Sequence, residues 1–162
     1  MKELKIMTLR INDVAPNFTA ATTQGEINFH DWIGDGWAVL FSHPKHKTPV
    51  CSTELGEVEK LADEFKKRNV KTIGLSVDTV DETSSWLEDI NDIAGAKPSF
   101  PIIADTNMEV SKIYNMLPTN EEGSSDGRTA LDNETVRTVF IVGPDKKIKL
   151  YLTYPMTTGR NF

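Results

Sequence analysis

The sequence contains a single cysteine, Cys51, in 162 residues. One cysteine forms no internal disulfide, so cross-linking contributes nothing to the fold and any chemistry of Cys51 starts from a free thiol. The absence of a C-x-x-C pair disfavours a thiol–disulfide oxidoreductase, in which a neighbouring cysteine resolves the reacting one. Because unpaired cysteines are typical of reducing compartments, we expect a cytoplasmic location.

Long apolar runs and basic charge are also lacking. No stretch approaches the roughly 20 apolar residues that cross a bilayer, and no apolar signal core follows the charged start at 1–6. Asp and Glu outnumber Lys and Arg by 24 to 18, and the formal net charge of −6 argues against a nucleic-acid partner. We find no internal repeat, and we expect one soluble domain over 1–162 with no membrane contact.

The apolar pattern predicts an α/β fold. The continuous apolar segment Trp37–Phe41 is typical of a central strand covered on both faces. Apolar residues at three- to four-residue spacing predict a helix over about 50–68. The remaining pattern predicts a hairpin over 18–29 with Gln24-Gly25 at its turn, strands at 71–77, 100–104, 137–142 and 147–153, helices capped by the pairs Thr79/Glu82 and Thr106/Glu109, and a long loop over 119–135. Alternating strands and helices followed by a hairpin imply a mixed sheet with helices on its faces.

Cys51 falls where the apolar strand at 37–41 gives way to the helix predicted from about residue 50. The unpaired N–H groups and the dipole of a helix's first turn favour an anion, here a thiolate. Ligand sites in such sheets lie beyond the carboxyl ends of the parallel strands, which is where residues 43–51 leave the strand. The competing interpretation is a small buried residue without chemistry, since free cysteines are commonly buried.

Pro44, Thr48 and Cys51 have the spacing P-x-x-x-T-x-x-C, and with this motif the sequence resembles the peroxiredoxins, the thioredoxin-fold cysteine peroxidases. The resemblance extends over most of the chain and includes residues 15–18 (APNF), 43–56, 137, 143–147 (GPDKK) and 154–162 (YPMTTGRNF). His43 and the block at 154–162 resemble the one-cysteine branch. The resemblance implies a thioredoxin-like mixed sheet flanked by helices, with an N-terminal β-hairpin. It implies no metal and no cofactor, because the sulfur performs the redox step.

The resemblance assigns catalytic roles to four residues. Cys51 would attack a peroxide oxygen as thiolate and become a sulfenic acid. Arg137 would favour the thiolate and donate hydrogen bonds to the peroxide, and Thr48 would orient the attack. Pro44 would shield the sulfur from water. Each also has a structural interpretation: a surface strand residue for Arg137, a turn hydroxyl for Thr48 and a strand terminator for Pro44.

Three further residues would support this site. Glu54, one helical turn after Cys51, would hold an arginine, and Arg160 would be the second arginine of that network. A solvated first-turn acid is the alternative for Glu54. For His43, a catalytic and a structural role are equally compatible with the sequence.

The resemblance implies a peroxidase that reduces hydrogen peroxide and organic hydroperoxides. The sulfenic acid would be resolved by an external thiol reductant, for which glutathione, ascorbate and a thioredoxin-type protein are all chemically suitable. It also implies a homodimer. The alternative functions are a peroxide sensor and a holdase-type binding module on the same fold.

The sequence departs from the family pattern at two places. His46-Lys47 stands where relatives commonly have an acidic residue followed by an aromatic one. We expect the added positive charge to favour the thiolate further, with two solvated loop side chains as the alternative. One-cysteine relatives continue after the block at 154–162 with a helix and an extended arm, which this sequence lacks. A resolving cysteine beyond residue 162 therefore stays open.

Overall fold

The computed structural model describes residues 8–44, 49–118, 135–155, 158–160 and 162. Within them, one mixed sheet has the strand order β2-β1-β5-β4-β3-β6-β7. The strands are β1 Thr19–Thr22, β2 Gly25–Asn28, β3 Trp37–Ser42, β4 Val70–Ser76, β5 Ile102–Ala104, β6 Arg137–Val142 and β7 Ile148–Tyr154. The helices are α1 Phe29–Ile33, α2 Pro49–Lys60, α3 Ala62–Lys67, α4 Val80–Ala94 and α5 Glu109–Ile113. The α/β mixed sheet and its N-terminal hairpin are confirmed.

Strand β3 is the central strand that its apolar sequence predicts. It pairs in parallel with β4 and antiparallel with β6. Successive side chains of a strand point to opposite faces, and Leu40 accordingly packs in a different core cluster from Val39 and Phe41. The cluster with Phe41 also contains Cys51 and residues of α2 and α4. The cysteine therefore lies on the sheet face that these two helices cover.

The opposite core cluster anchors the segment at 15–18. Tyr114 is fully buried there among aromatic rings, and its hydroxyl donates to the carbonyl of Pro16 over 2.6 Å. Burial raises the pKa of Tyr114 above its ordinary value, so the phenol stays protonated and available as a donor.

The prediction of a single helix over 50–68 is wrong, because the segment forms two helices, α2 and α3, which are separated at Leu61. The backbone of Leu61 has φ −90° and ψ 2°, outside the helical region. Its N–H is shared between the carbonyls of Glu57 at 3.3 Å and Val58 at 3.1 Å. The apolar spacing continues through Leu61, so hydrophobic periodicity gave no sign of this break.

The capping prediction holds for α4. The Thr79 hydroxyl accepts the Glu82 N–H at 3.2 Å, while the Glu82 carboxylate accepts the Thr79 N–H at 3.0 Å. Gly95 ends the helix at φ 70°, a left-handed conformation that glycine adopts without strain.

The capping box predicted for Thr106 and Glu109 is wrong. Helix α5 begins after Met108, whose φ is 57°. The Met108 side chain makes no capping hydrogen bond to the helix. The buried carboxylate of Asp105 instead accepts the N–H groups of Val110 at 3.1 Å and Ser111 at 2.7 Å. The Asp105 carboxylate, directly after β5, thus takes the capping role that the Thr106/Glu109 spacing predicted for the Thr106 hydroxyl.

Both predicted hairpins are present as β1–β2 and β6–β7. The predicted loop over 119–135 falls almost entirely outside the described residues. Within the part of the chain that is described, no helix combines the length and apolarity needed to cross a membrane.

Candidate active site

Cys51 is the third residue of α2, which follows the carboxyl end of β3. Pro49 opens this helix, at a position where the missing N–H of proline costs no intrahelical bond. The cysteine is 1% exposed and packs with apolar residues that include Phe41, Leu55 and Trp86. The strand-to-helix location is confirmed, and the thiol lies at the edge of the core.

Arg137 brings a positive charge to the sulfur. It is the first residue of β6, and because β6 runs antiparallel to β3, it lies beside the carboxyl end of β3. Its Nη1 donates to Cys51 Sγ over 3.4 Å and to Glu54 Oε2 over 2.9 Å. A surface strand residue is therefore excluded, since the Arg137 side chain is only 4% exposed.

Glu54 lies one turn after Cys51 on α2, and its carboxylate is shared by two arginines. Oε2 accepts Nη1 of Arg137 and Nη2 of Arg160, each over 2.9 Å. Oε1 accepts the Arg160 backbone N–H at 2.6 Å and Nε at 3.2 Å. The predicted contact of Glu54 with arginine is present. The alternative, a solvated acid in the first turn of the helix, is excluded because the Glu54 side chain is buried.

Arg160 joins this cluster from a segment that follows β7. Its Nη1 donates to the carbonyl of Thr138 over 3.0 Å, one residue beyond Arg137 on β6. Its guanidinium carbon lies 5.7 Å from the ring centroid of Phe41 and 5.0 Å from that of Phe162. Guanidinium groups stack favourably on aromatic faces, so charge and packing both hold Arg160 in place.

Buried side chains of opposite charge meet in this cluster. Two guanidinium groups face one carboxylate, and all three side chains are almost fully buried. Buried charges are costly unless they are paired and hydrogen-bonded. The Arg137 guanidinium lies beside Sγ, where its positive charge would stabilise an anionic sulfur.

His43 and Pro44 continue β3 toward the cysteine, and both are buried. The His43 N–H donates to the Leu75 carbonyl over 3.0 Å, and its own carbonyl accepts the Thr135 hydroxyl over 2.9 Å. Its ring centroid lies 5.3 Å from that of Trp86. Thr48 and the pair His46-Lys47 lie outside the described residues, so their predicted roles stay predictions.

Sequence reasoning missed the contribution of α4 to this site. Trp86 is fully buried, and its Nε1–H donates to the Ser52 hydroxyl over 3.1 Å, next to the cysteine in sequence. Trp86, Leu87 and Ile90 have the helical spacing of an apolar face, which predicts burial of Trp86. This spacing carries no signal for a hydrogen bond to a serine 34 positions earlier in the chain.

Known proteins share this arrangement of elements. The profile of the AhpC/TSA family matches residues 11–151. Peroxiredoxin-6 of Gallus gallus is 53% identical over 158 residues, covering 95% of this chain and 68% of the chicken protein. The crystal structure of a cysteine-to-serine mutant of Arenicola marina peroxiredoxin 6 superposes with a TM-score of 0.84 at 46% identity, covering 95% of this chain and 69% of that one.

A second solved relative is the yeast mitochondrial one-cysteine peroxiredoxin, whose thiol is resolved through the glutathione/thioredoxin systems. It superposes with a TM-score of 0.81 at 51% identity, covering 95% of this chain and 71% of that one. These similarities confirm the thioredoxin-like fold and the one-cysteine branch that the motif around Cys51 indicates. The chain belongs to the AhpC/TSA family and is a thiol-dependent peroxidase of the one-cysteine peroxiredoxin type.

Proposed function

We propose that Cys51 is the attacking thiolate and that it reduces hydrogen peroxide and organic hydroperoxides. The observation that carries this assignment is the hydrogen bond from Arg137 Nη1 to Cys51 Sγ. As the sulfur attacks one peroxide oxygen, an S–O bond forms and the O–O bond breaks. The second oxygen leaves with a proton as water or an alcohol, and Cys51 is oxidised to a sulfenic acid.

Arg137 acts on both partners of this step. Its positive charge favours the thiolate, which is the nucleophilic form of cysteine. Its guanidinium also donates toward the peroxide oxygens, on which negative charge develops as the O–O bond breaks. Glu54 and Arg160 are supporting residues, because they fix the guanidinium that touches the sulfur.

Pro44, Thr48 and His43 complete the proposed site. Pro44 is buried, which supports a role in shielding the sulfenic acid from water. Thr48 would orient the peroxide by its hydroxyl. For His43 we propose a structural role, because its backbone bonds to Leu75 and Thr135 and its ring packs near Trp86.

Resolution of the sulfenic acid by an external thiol is supported by the similarity to one-cysteine peroxiredoxins, and Cys51 is the single cysteine of residues 1–162. One thiol forms a mixed disulfide with Cys51 and releases water, and a second thiol then regenerates the Cys51 thiol. The yeast relative, resolved through the glutathione/thioredoxin systems, supports glutathione or a thioredoxin-type protein as reductant. Such reductants fit the cytoplasmic location that the unpaired thiol suggests.

We propose one domain over 1–162 that forms a homodimer through β7. This strand is the edge of the sheet next to β6. Leu150, Tyr151 and Leu152 expose 37%, 45% and 46% of their surface along it. An edge strand with exposed apolar side chains is a template for pairing with a second copy.

A stoichiometric peroxide challenge followed by intact-mass measurement tests the proposed chemistry. We expect one oxygen to be gained at Cys51, trapped by a sulfenic-acid reagent, and no peroxide consumption by a folded Cys51→Ser variant. A thiol that reacts no faster than free cysteine overturns the assignment. Turnover with added thiol distinguishes the peroxidase from a peroxide sensor, and a holdase-type module would keep its activity in Cys51→Ser.

A further inference from the structure

Ser42 is a fully buried residue at the carboxyl end of β3, and its hydroxyl bridges to the start of β6. Its Oγ donates to the Val136 carbonyl over 2.5 Å and accepts the Thr138 N–H over 3.0 Å. Val136 and Thr138 are the two neighbours of Arg137. One side-chain oxygen thus holds the backbone on both sides of the arginine that contacts Cys51.

The bridge lies where the regular pairing of the two strands stops. The last residue pair of the β3–β6 ladder is Phe41 with Val139. Beyond it, the Ser42 hydroxyl binds the carbonyl of Val136, just before β6, and the N–H of Thr138 within β6. A second side chain acts in the same place, because the Thr135 hydroxyl donates to the His43 carbonyl over 2.9 Å. Side chains therefore replace the ladder where Arg137 begins β6.

The position of this backbone determines where two guanidinium groups lie. The same Nη1 of Arg137 binds Glu54 and lies 3.4 Å from Cys51 Sγ. A small displacement of the guanidinium would therefore lengthen its contact with the sulfur. Thr138, whose N–H is held by Ser42, also accepts Nη1 of Arg160 at its carbonyl. A shift of the β6 start would displace both arginines together.

We propose that Ser42 is a positioning residue that fixes the Arg137 guanidinium against the reacting sulfur. This inference rests on the proposed role of Arg137. Without the Ser42 hydroxyl, the Val136 carbonyl and the Thr138 N–H lose a partner, and a buried polar group without a partner is costly. The backbone then moves toward other partners. Misplacement of a catalytic group by about 1 Å can cost about a hundredfold in rate.

A double-mutant cycle between Ser42 and Arg137 tests the proposal. The measured quantity is the second-order rate constant for oxidation of Cys51 by hydrogen peroxide in Ser42→Ala, Arg137→Ala and the double variant. We expect Ser42→Ala to lower it about tenfold or more. In the Arg137→Ala background the same change has an effect of no more than about twofold, because the residue through which Ser42 acts is gone.

Ser111→Ala is the matched control. Ser111 is also fully buried, and its hydroxyl binds the Asp105 carboxylate over 2.5 Å, in a part of the core formed by other residues. We expect this variant to lose stability but to keep the wild-type rate constant. If Ser42→Ala acted only by destabilising the fold, Ser111→Ala would lower the rate constant as well, and that result would overturn the proposal.

Ser42→Thr and Ser42→Val form a second pair of nearly equal shape that differs in the hydroxyl. We expect Thr to restore the rate constant and the ultraviolet absorbance of the Cys51 thiolate at neutral pH, and Val to restore neither. This pair decides the question if Ser42→Ala does not fold. Equal rates for the two variants, or an undiminished effect in the Arg137→Ala background, overturn the role of Ser42. An Arg137→Ala variant as fast as wild type overturns the proposed role of Arg137 itself.

Discussion

Arg160 holds the carboxylate of Glu54 through its backbone N–H, Nε and Nη2, at 2.6, 3.2 and 2.9 Å. The two residues are 106 positions apart in sequence. This contact links the segment around Arg160 to α2, the helix that bears Cys51. Because Arg137 binds the same carboxylate, Glu54 transmits the position of one arginine to the other.

Replacement of Glu54 by Gln should strongly lower the free energy of unfolding. The change removes the charged carboxylate that pairs with two buried guanidinium groups, and breaking a buried pair costs about 3–5 kcal/mol. Urea unfolding of the reduced protein measures this loss. Glu57→Gln is the matched control one turn along α2, where the carboxylate is 54% exposed and binds Lys60. We expect that control to cost about 1 kcal/mol or less. Similar losses in the two variants would contradict a structural role for the Glu54 carboxylate.

Arg137→Lys should slow Cys51 oxidation while keeping the charge. Lysine is a point charge without the planar fork of arginine, so it cannot bind sulfur, carboxylate and peroxide with the same geometry. We expect the rate constant to fall about a hundredfold, the size of effect seen when one preorganised donor is removed from an active site. Stopped-flow oxidation by hydrogen peroxide checks this value.

Arg68→Lys provides the control for that substitution. Arg68 also binds a glutamate, with Nη1 at 2.6 Å from Glu64 Oε2, but its side chain is 66% exposed at the end of α3. We expect its rate constant to equal that of wild type. A hundredfold loss at Arg68, or none at Arg137, would show that guanidinium geometry at the sulfur is not the cause.

Gly56→Ala should destabilise the packing of α2 on α4. A Cβ at Gly56 would lie 2.3 Å from the Cβ of Ala94, a distance that real atoms do not adopt. Overpacking of this kind costs about 1–3 kcal/mol. Ala94→Gly removes the opposing methyl group, so the double variant should regain most of the lost stability. Thermal unfolding of the three variants measures this, and additive losses would refute a direct contact.

Much of the fold follows from the sequence because its signals are local. The apolar run of β3 and the paired Thr79 and Glu82 each encode their own structure within a few residues. The break at Leu61 and the cap by Asp105 do not, since they depend on backbone geometry and on a carboxylate held by another element. Periodicity records which residues are buried, not which backbone groups they satisfy.

The site divides in the same way. Cys51 and Glu54 are neighbours on one helix, so their relation could be predicted from spacing. Arg137 and Arg160 could be assigned only through family resemblance, because contacts across 86 and 106 positions leave no local pattern. Ser42 had no signal at all, since a serine that ends an apolar strand resembles an ordinary strand terminus.

The hydrogen bond from Trp86 to Ser52 gives a prediction about how α4 supports the first turn of α2. Trp86→Phe keeps an aromatic ring near His43 but removes the indole N–H, and Ser52→Ala removes the acceptor. The bond joins two fully buried groups, so a double-mutant cycle of urea unfolding should give a coupling of about 0.5–1.5 kcal/mol. Trp32→Phe, at a partly exposed tryptophan of the other core cluster, should show no coupling to Ser52→Ala. If the effects of the Trp86 and Ser52 substitutions prove additive, the hydrogen bond between them does not contribute to holding the helix turn that carries Cys51.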